Sequence, residues 1–143
     1  MNCSSIKYTV YTDGAYSAKN DSGGIGVIIL RNDELIYTYS KNFTKTTNQK
    51  MEVIAVIYAL NMLKDAKSIK IVTDSMYTIG CASLGWKRKK NIQLWKVFDK
   101  YYKQMLEKGC NIEFQHVKGH TGDKYNTMCD NLAVKAREEI NLI

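Results

Sequence analysis

Four acidic residues stand where a purely structural acid would be unusual. Asp13 and Asp74 end apolar stretches that are predicted to be strands, and Glu52 and Asp130 lie early in predicted helices. Strand ends and helix starts share one rim of an α/β sheet, so we expect these four carboxylates to converge. Carboxylates at close range repel and raise each other's pKa, and divalent cations would relieve that repulsion.

The ligand chemistry of such a cluster points to a particular metal and reaction. Oxygen-only ligands favour Mg²⁺, with Mn²⁺ as a possible substitute. A pair of such ions suits in-line displacement at phosphorus, where one ion activates a water molecule and the other stabilises the leaving oxygen. The four acids therefore predict a two-metal site for phosphodiester chemistry.

Each acid also has a structural explanation that stays open at this point. Asp13 precedes a glycine and could form an Asp-Gly turn. Glu52 and Asp130 could stabilise helix dipoles in a first helical turn, and Asp74 could cap the next helix. Burying an unpaired Glu52 in an otherwise apolar helix would cost several kcal/mol, roughly. This cost favours a positive group, such as a metal ion, beside Glu52.

The elements that must position these acids follow from the hydrophobic pattern. Three antiparallel strands are predicted at residues 6–12, 24–30 and 34–43, then a buried helix to about residue 64 in which Thr46 and Gln49 have the spacing of a capping box. A strand at 68–73 should lie parallel to an earlier strand. Helices are predicted at 75–83, 91–108 and 126–140, with a fifth strand at 111–117. The fold class is α/β, with a five-stranded mixed sheet flanked by helices.

Composition limits the classes of protein to which the chain could belong. We interpret residues 1–143 as a single domain, because the length fits one core and there is no linker or repeat. No apolar run is long enough to span a membrane, and the start of the chain lacks a signal-peptide pattern, so a cytoplasmic location is predicted. The four cysteines form no Cys-x-x-Cys pair, which argues against zinc.

The charge distribution is compatible with a polyanionic partner. Lysine and arginine outnumber the acids by 21 to 14, which gives a net charge of +7. Residues 87–90 form an unbroken basic run beside Trp86, and a second basic stretch contains Lys41, Lys45 and Lys50. Either stretch could equally be a solvated surface.

The chain resembles the ribonuclease H type 1 family from Tyr8 to Ala136, a range that includes the four acids. The similarity lies in four motifs, in order: Tyr11-Thr12-Asp13-Gly14, Thr46 through Glu52, Thr73 through Tyr77, and His116 through Gly122 with Asn126 and Asp130. Four motifs in order, each carrying its expected acid, are far more specific than one. The resemblance implies a ribonuclease H-like fold and an endoribonuclease that cuts the RNA strand of RNA–DNA hybrids by two-metal-ion catalysis.

The resemblance also implies roles for individual residues. Asp13, Glu52, Asp74 and Asp130 would bind two Mg²⁺ ions, and His120 would act in proton transfer or product release. Asn48, Gln49 and the backbone near Gly14 would read the minor groove, while Thr47 and Asn91 would hold a phosphate of the DNA strand. The partner would be the hybrid, and the enzyme is expected to be a monomer that does not bind membranes.

Two features depart from the family pattern. The basic protrusion that many bacterial members carry after the third acid motif is shortened here, and Trp86 with Lys87 and the following basic residues could partly replace it. Thr127 also stands where an acidic residue is common. These departures bear on the affinity for hybrid rather than on the chemistry.

Other nucleases and a non-catalytic protein remain as alternatives. The chain could be a domain of a reverse transcriptase or an integrase-like nuclease of similar fold, although the Asn48-Gln49 pair and the loop around His120 argue against an integrase. Met1 favours a free protein. A binding module without activity would not be expected to retain all four acids.

Overall fold

The computed structural model describes residues 6–118 and 123–139. Within these residues, five strands and four helices follow one another in the order βββ-α-β-α-α-β-α. Their bounds are β1 Tyr8–Ser17, β2 Ser22–Arg31, β3 Glu34–Thr44, α1 Asn48–Met62, β4 Ser68–Thr73, α2 Met76–Ser83, α3 Ile92–Glu107, β5 Asn111–His116 and α4 Lys124–Glu138. The predicted number, type and order of elements are confirmed.

The strands form one mixed sheet in the order β3-β2-β1-β4-β5. β2 pairs antiparallel with both β1 and β3, whereas β4 pairs parallel with β1 and with β5. The predicted crossover from the antiparallel strands into a parallel β4 is therefore confirmed. This order places the carboxyl ends of β1 and β4 side by side.

Helices cover the two faces of the sheet, as two consecutive glycines of β2 show. A Cβ placed on Gly23 would contact the Met51 side chain of α1, whereas one on Gly24 would lie 2.2 Å from the Ala133 carbonyl oxygen of α4. The larger core lies on the α1 side. Its members come from the sheet and from α1, α2 and α3, and include Val10, Val53, Leu60, Ile71, Trp95 and Phe98.

The first strand differs from its prediction. β1 does not end at Asp13 but continues through Gly14 to Ser17, and the turn follows at residues 18–21. Asp13 pairs with Gly26, and Gly14 pairs with Ile25, so the β1–β2 ladder holds the Asp-Gly pair extended. The turn interpretation of Asp13 is therefore wrong.

The starts of two helices also differ from their predictions. Thr47, rather than Thr46, caps α1 and accepts a hydrogen bond from the Lys50 amide. Asp123 caps α4, which begins two residues before the predicted Asn126. Neither helix has an acid in its first turn. The helix-dipole explanations of Glu52 and Asp130 are therefore wrong.

Within the described residues, no helix is both long enough and apolar enough to cross a membrane.

Candidate active site

Three of the four predicted acids meet at the carboxyl ends of β1 and β4. Asp13 lies in β1, Glu52 in α1 and Asp74 directly after β4. One carboxylate oxygen from each lies within 4.8 Å of the others. Asp13 and Glu52 are buried, with 3% and 7% of their surface exposed, and Asp74 is half-buried. The predicted convergence is thus found for these three residues.

Asp130 approaches the cluster from the opposite face of the sheet. It lies in the second turn of α4, where its carboxyl group adjoins that of Asp13. Two glycines of β2 allow α4 to lie this close: a Cβ on Gly26 would be 2.4 Å from the Cys129 carbonyl oxygen, and one on Gly24 would meet Ala133. Because Asp13 pairs with Gly26, the close contact brings α4 beside Asp13.

A third glycine sets the distance between Asp13 and Glu52. A Cβ on Gly14 would lie 2.6 Å from the Glu52 amide nitrogen and 2.6 Å from the Met51 carbonyl carbon. The α1 backbone therefore packs directly on β1 at the residue that follows Asp13. The Gly14 amide also donates a hydrogen bond of 2.9 Å to Oδ1 of Asp13, which orients that carboxylate.

The electrostatics of the cluster are those of acids crowded together away from water. Burial, followed by the charge of Asp74 and the neighbouring carboxyl of Asp130, raises the pKa of Asp13 to about 8. Burial, followed by the charges of Asp13 and Asp74, raises the pKa of Glu52 well above its ordinary value. Without a cation, the protein holds these groups at a cost in stability.

The unpaired oxygens of the cluster suit a hard cation. Oδ2 of Asp13 and Oε2 of Glu52 are buried and have no hydrogen-bond partner among the described residues. Buried acceptors are rarely left without a donor unless a ligand supplies one. A divalent cation would satisfy both oxygens and relieve the repulsion, so the residues present fit a metal ion.

His120 and the glycines around it lie outside the described residues, which stop at Lys118 and resume at Asp123. The prediction for His120 therefore has no structural counterpart here. Asp123 accepts hydrogen bonds of 3.0 Å from the amides of Tyr125 and Asn126, which fixes the start of α4 directly after that segment.

A groove of about 460 Å³ lies between the start of α1 and the start of α3. Lys45, Lys50 and Asn91 contribute polar groups to its lining. Thr46 also lines it, and its buried hydroxyl has no hydrogen-bond partner among the described residues. The remaining lining is largely apolar, so an anion would be held at these donors and cations rather than by the groove as a whole.

Of the residues predicted to contact substrate, Asn91 lines this groove, and three others lie at the start of α1 next to its lining residues Thr46 and Lys50. Thr47 caps α1, and Asn48 and Gln49 are exposed in the first turn of the same helix. Asn91 caps α3 in a left-handed conformation with φ of 58°, which asparagine tolerates better than most residues. Gly14, by contrast, is buried beneath α1.

Tyr77 is a residue of this region that the sequence did not reveal. Its hydroxyl accepts hydrogen bonds from Asn91 Nδ2 at 3.1 Å and from the buried Trp95 Nε1 at 3.2 Å. Tyr77 thereby anchors the Asn91 side chain at the groove. No sequence pattern signals this contact, since it depends on how α2 and α3 pack.

The basic segment between α2 and α3 contains no helix, in agreement with the predicted shortening. The Trp86 ring rests on Gly80 and is 47% exposed, and Lys87 is exposed. Arg88 differs from its neighbours because it turns inward. Its guanidinium lies 2.6 Å from Asp99 and 4.8 Å from the Trp95 ring centroid, and its Nε donates to the Cys81 carbonyl. Arg88 is thus engaged in packing, whereas Lys87, Lys89 and Lys90 are exposed.

Comparison with known protein families gives one consistent answer. The sequence model of the RNase H family matches residues 5–138. A ribonuclease H of Rippkaea orientalis is 35% identical, over 99% of this chain and 92% of its own. A ribonuclease HI of Synechocystis is 36% identical, over 90% of this chain and 86% of its own.

Solved structures share the fold. LC11-RNase H1 in complex with an RNA/DNA hybrid superposes with a TM-score of 0.79 at 23% identity, covering 94% of this chain and 99% of the other. RNase H1 from Halobacterium salinarum gives a TM-score of 0.76 at 21% identity, over 91% and 96% of the two chains. The sheet order and the flanking helices are therefore those of this fold.

Proposed function

The chain belongs to the ribonuclease H family, and we propose that it hydrolyses the RNA strand of RNA–DNA hybrids as an endonuclease. One observation carries the proposal: Asp13, Glu52 and Asp74 place carboxylate oxygens within 4.8 Å of one another, two of them from buried side chains. Such a cluster is expensive to maintain for structural purposes alone. It is expected where acids hold divalent metal ions for phosphodiester hydrolysis.

We propose two Mg²⁺ ions as the cofactor, with Mn²⁺ as a substitute. Asp13, Glu52, Asp74 and Asp130 would hold them. When bound, the ions would lower the pKa of a water molecule and stabilise the charge on the leaving oxygen. Within the protein, the Gly14 amide orients Asp13, and the packing of α1 on β1 keeps Glu52 next to it.

His120 is proposed to act in proton transfer or product release. The basis is its place in the motif that precedes Asp130 and the near-neutral pKa typical of histidine. His120→Ala should lower kcat and leave hybrid affinity nearly unchanged. An equal loss of affinity and rate would mean that His120 maintains its loop.

The substrate is proposed to be recognised through its minor groove and one phosphate. Asn48, Gln49, the backbone near Gly14 and the Glu52 carboxylate would read the 2′-hydroxyls that distinguish RNA from DNA. Asn91 and the Thr47 hydroxyl would hold a DNA phosphate at the groove, beside Lys45 and Lys50. The Thr47 oxygen accepts from Lys50, so its O–H remains able to donate. Trp86 and Lys87 would contact the hybrid farther along.

We also propose that residues 1–143 act as one catalytic domain, as a monomer in the cytoplasm. The described cysteines are buried and unpaired, in keeping with a reducing compartment. Sedimentation at several protein concentrations would test the monomer.

The decisive experiment compares RNA–DNA, RNA–RNA and DNA–DNA duplexes of one sequence with Mg²⁺ present. We expect cleavage of the RNA strand in the hybrid alone, and its loss in Asp74→Asn. Comparable cutting of DNA–DNA would favour an integrase-like nuclease. Binding to all three duplexes without cutting would favour a non-catalytic module, and substantial turnover by Asp74→Asn would contradict the proposed metal site.

A further inference from the structure

A row of aromatic rings runs along the outer strand of the sheet toward the groove. Tyr37, Tyr39 and Phe43 lie on the same face of β3, and Tyr58 of α1 packs beside them. The rings of Tyr37 and Tyr39 are nearly parallel with centroids 6.5 Å apart, and Tyr39 stacks on Tyr58 at 5.8 Å. Phe43 meets Tyr58 edge-on at 6.1 Å. We call these four residues, together with Lys41, the aromatic strip.

Packing against the hydrophobic core accounts for three of the four rings in the aromatic strip. Tyr39, Phe43 and Tyr58 pack against buried residues such as Met51 and are half-buried themselves. Tyr37 is 47% exposed and lies at the end of the row. An exposed aromatic ring that continues an ordered stack offers a further surface on which a flat ring can stack.

A cation is placed within the aromatic strip. The ammonium of Lys41 lies 5.6 Å from the Phe43 ring centroid and 5.7 Å from that of Tyr58, and Lys41 is exposed. No acidic residue occurs in the sequence between Glu34 and Glu52, whereas Lys41, Lys45 and Lys50 do. The local charge therefore favours an anionic partner.

The aromatic strip is continuous with the groove. Phe43 belongs to both, and Lys45 and Lys50 also line the groove. From Tyr37 to Phe43, β3 extends about 20 Å at the usual rise per residue. A strand whose phosphate sits at Asn91 could thus continue past Phe43 toward Tyr37.

We propose that the aromatic strip binds single-stranded DNA that continues the DNA strand of the hybrid beyond the groove. Stacked aromatic rings flanked by lysines bind single strands with little dependence on sequence, because every base offers a flat face. This inference rests on the proposed hybrid substrate, in which the DNA strand occupies the groove. It identifies the preferred substrate as a hybrid with a DNA extension, rather than a blunt one.

The test uses hybrids that are blunt or carry a single-stranded extension of about six nucleotides on the DNA strand, a length that single-strand sites commonly accommodate. For the unaltered enzyme we expect KM to be about tenfold lower on the extended hybrid, for one polarity of extension. Tyr37→Ala and Lys41→Ala should bring the ratio of the two KM values close to one. Tyr37→Phe, which keeps the ring, should preserve the ratio.

Two controls are matched to these variants. Thr38→Ala alters the neighbouring residue, whose side chain alternates to the other face of β3, and Lys135→Ala removes an exposed charge on α4, across the sheet. Both should keep the full ratio. Because each variant is compared with itself on two substrates, a general loss of folding or activity cannot imitate the result.

A direct measurement separates this inference from the proposed function. Labelled oligodeoxythymidine should bind the unaltered protein about tenfold more tightly than Tyr37→Ala in an anisotropy titration. Equal KM ratios and equal DNA affinities in all variants would overturn the proposed binding of DNA by the aromatic strip. The proposed cleavage of hybrids would be unaffected by that result. The same gain from an extension on the RNA strand would contradict the assignment to the DNA strand. Self-association that Tyr37→Ala abolishes, with unchanged DNA affinity, would assign the aromatic strip to a second copy of the chain and also overturn the proposal.

Discussion

Gly14 of β1 and Glu52 of α1 lie in direct backbone contact, so that a Cβ on Gly14 would be 2.6 Å from the Glu52 amide nitrogen. Gly14 directly follows Asp13, a candidate metal ligand, and Glu52 is itself a candidate metal ligand. Helix backbone cannot yield as a flexible side chain can. The separation of the Asp13 and Glu52 carboxylates is therefore set by the absence of a side chain at position 14.

Gly14→Ala should consequently move α1 away from β1 and impair the site. We expect a loss of about 1–3 kcal/mol in the free energy of unfolding, as is usual for overpacking, together with a large fall in kcat. Gly23→Ala is the control, because there the added Cβ would meet the side chains of Met51 and Thr46 rather than backbone. Urea unfolding and hybrid cleavage measure the two effects. Unchanged cleavage by a folded Gly14→Ala would mean that the contact does not determine the site.

The fold and the convergence of Asp13, Glu52 and Asp74 could be predicted from the sequence because both follow from local pattern. Alternating and apolar runs identified all five strands. The positions of the acids at strand ends and near helix starts were enough to predict that they share one rim of the sheet, whereas the adjacency of β1 and β4 comes from the structure. The prediction was wrong where pairing with a distant strand determines the local conformation. Asp13-Gly14 has the composition of a turn, but the ladder with β2 keeps it extended through Ser17.

The remaining errors have a similar origin. Asp123 is a capping residue type and could have been recognised as the start of α4, whereas the choice of Thr47 over Thr46 depends on how the chain leaves β3. The basic run at residues 87–90 appears uniform in sequence. Only packing against Trp95 and Asp99 distinguishes Arg88 from the lysines.

The stability of the metal-free protein should fall as pH rises from about 4 to about 8. Burial and neighbouring acids raise the pKa of Asp13 from 3.8 to about 8 in the folded state. Across this range the folded protein holds a proton that the unfolded chain has lost, so stability decreases with increasing pH. Glu52, whose pKa is raised in the same direction, contributes to the same trend. Thermal unfolding in EDTA at pH 5 and pH 8 measures the effect.

Asp13→Asn provides the test of this pH dependence. It should flatten the dependence and raise the melting temperature at pH 8 without metal, whereas the exposed Asp65→Asn should do neither. Mg²⁺ should stabilise the unaltered protein at pH 8, since it binds the folded state, and should stabilise Asp13→Asn far less. Rising metal-free stability of the unaltered protein between pH 5 and pH 8 would contradict this account.

Arg88 and its lysine neighbours should separate stability from binding. Arg88→Ala loses the Asp99 ion pair and the contact with the Trp95 ring, so we expect about 1–2 kcal/mol less stability in urea unfolding. Lys87→Ala, Lys89→Ala and Lys90→Ala should leave stability unchanged. If a lysine contacts a phosphate of duplex, its loss should reduce the slope of log affinity against log salt by about 0.9. A larger change in salt slope for Arg88→Ala than for any lysine variant would refute this division.

Tyr77→Phe should weaken hybrid binding although Tyr77 itself need not touch the substrate. The substitution keeps the ring packed against Trp95 but removes the oxygen that accepts from both Asn91 and Trp95. Leaving the buried Trp95 N–H unpaired should cost about 1–3 kcal/mol of stability. Freeing the Asn91 side chain should raise KM about three- to tenfold with little change in kcat, as expected when binding is lost equally in ground and transition states.

Asn91→Gly removes the same side chain while tolerating the left-handed backbone. If Tyr77 acts through Asn91, the double variant should raise KM no more than Asn91→Gly alone, whereas additive effects on KM would show that the two residues act independently.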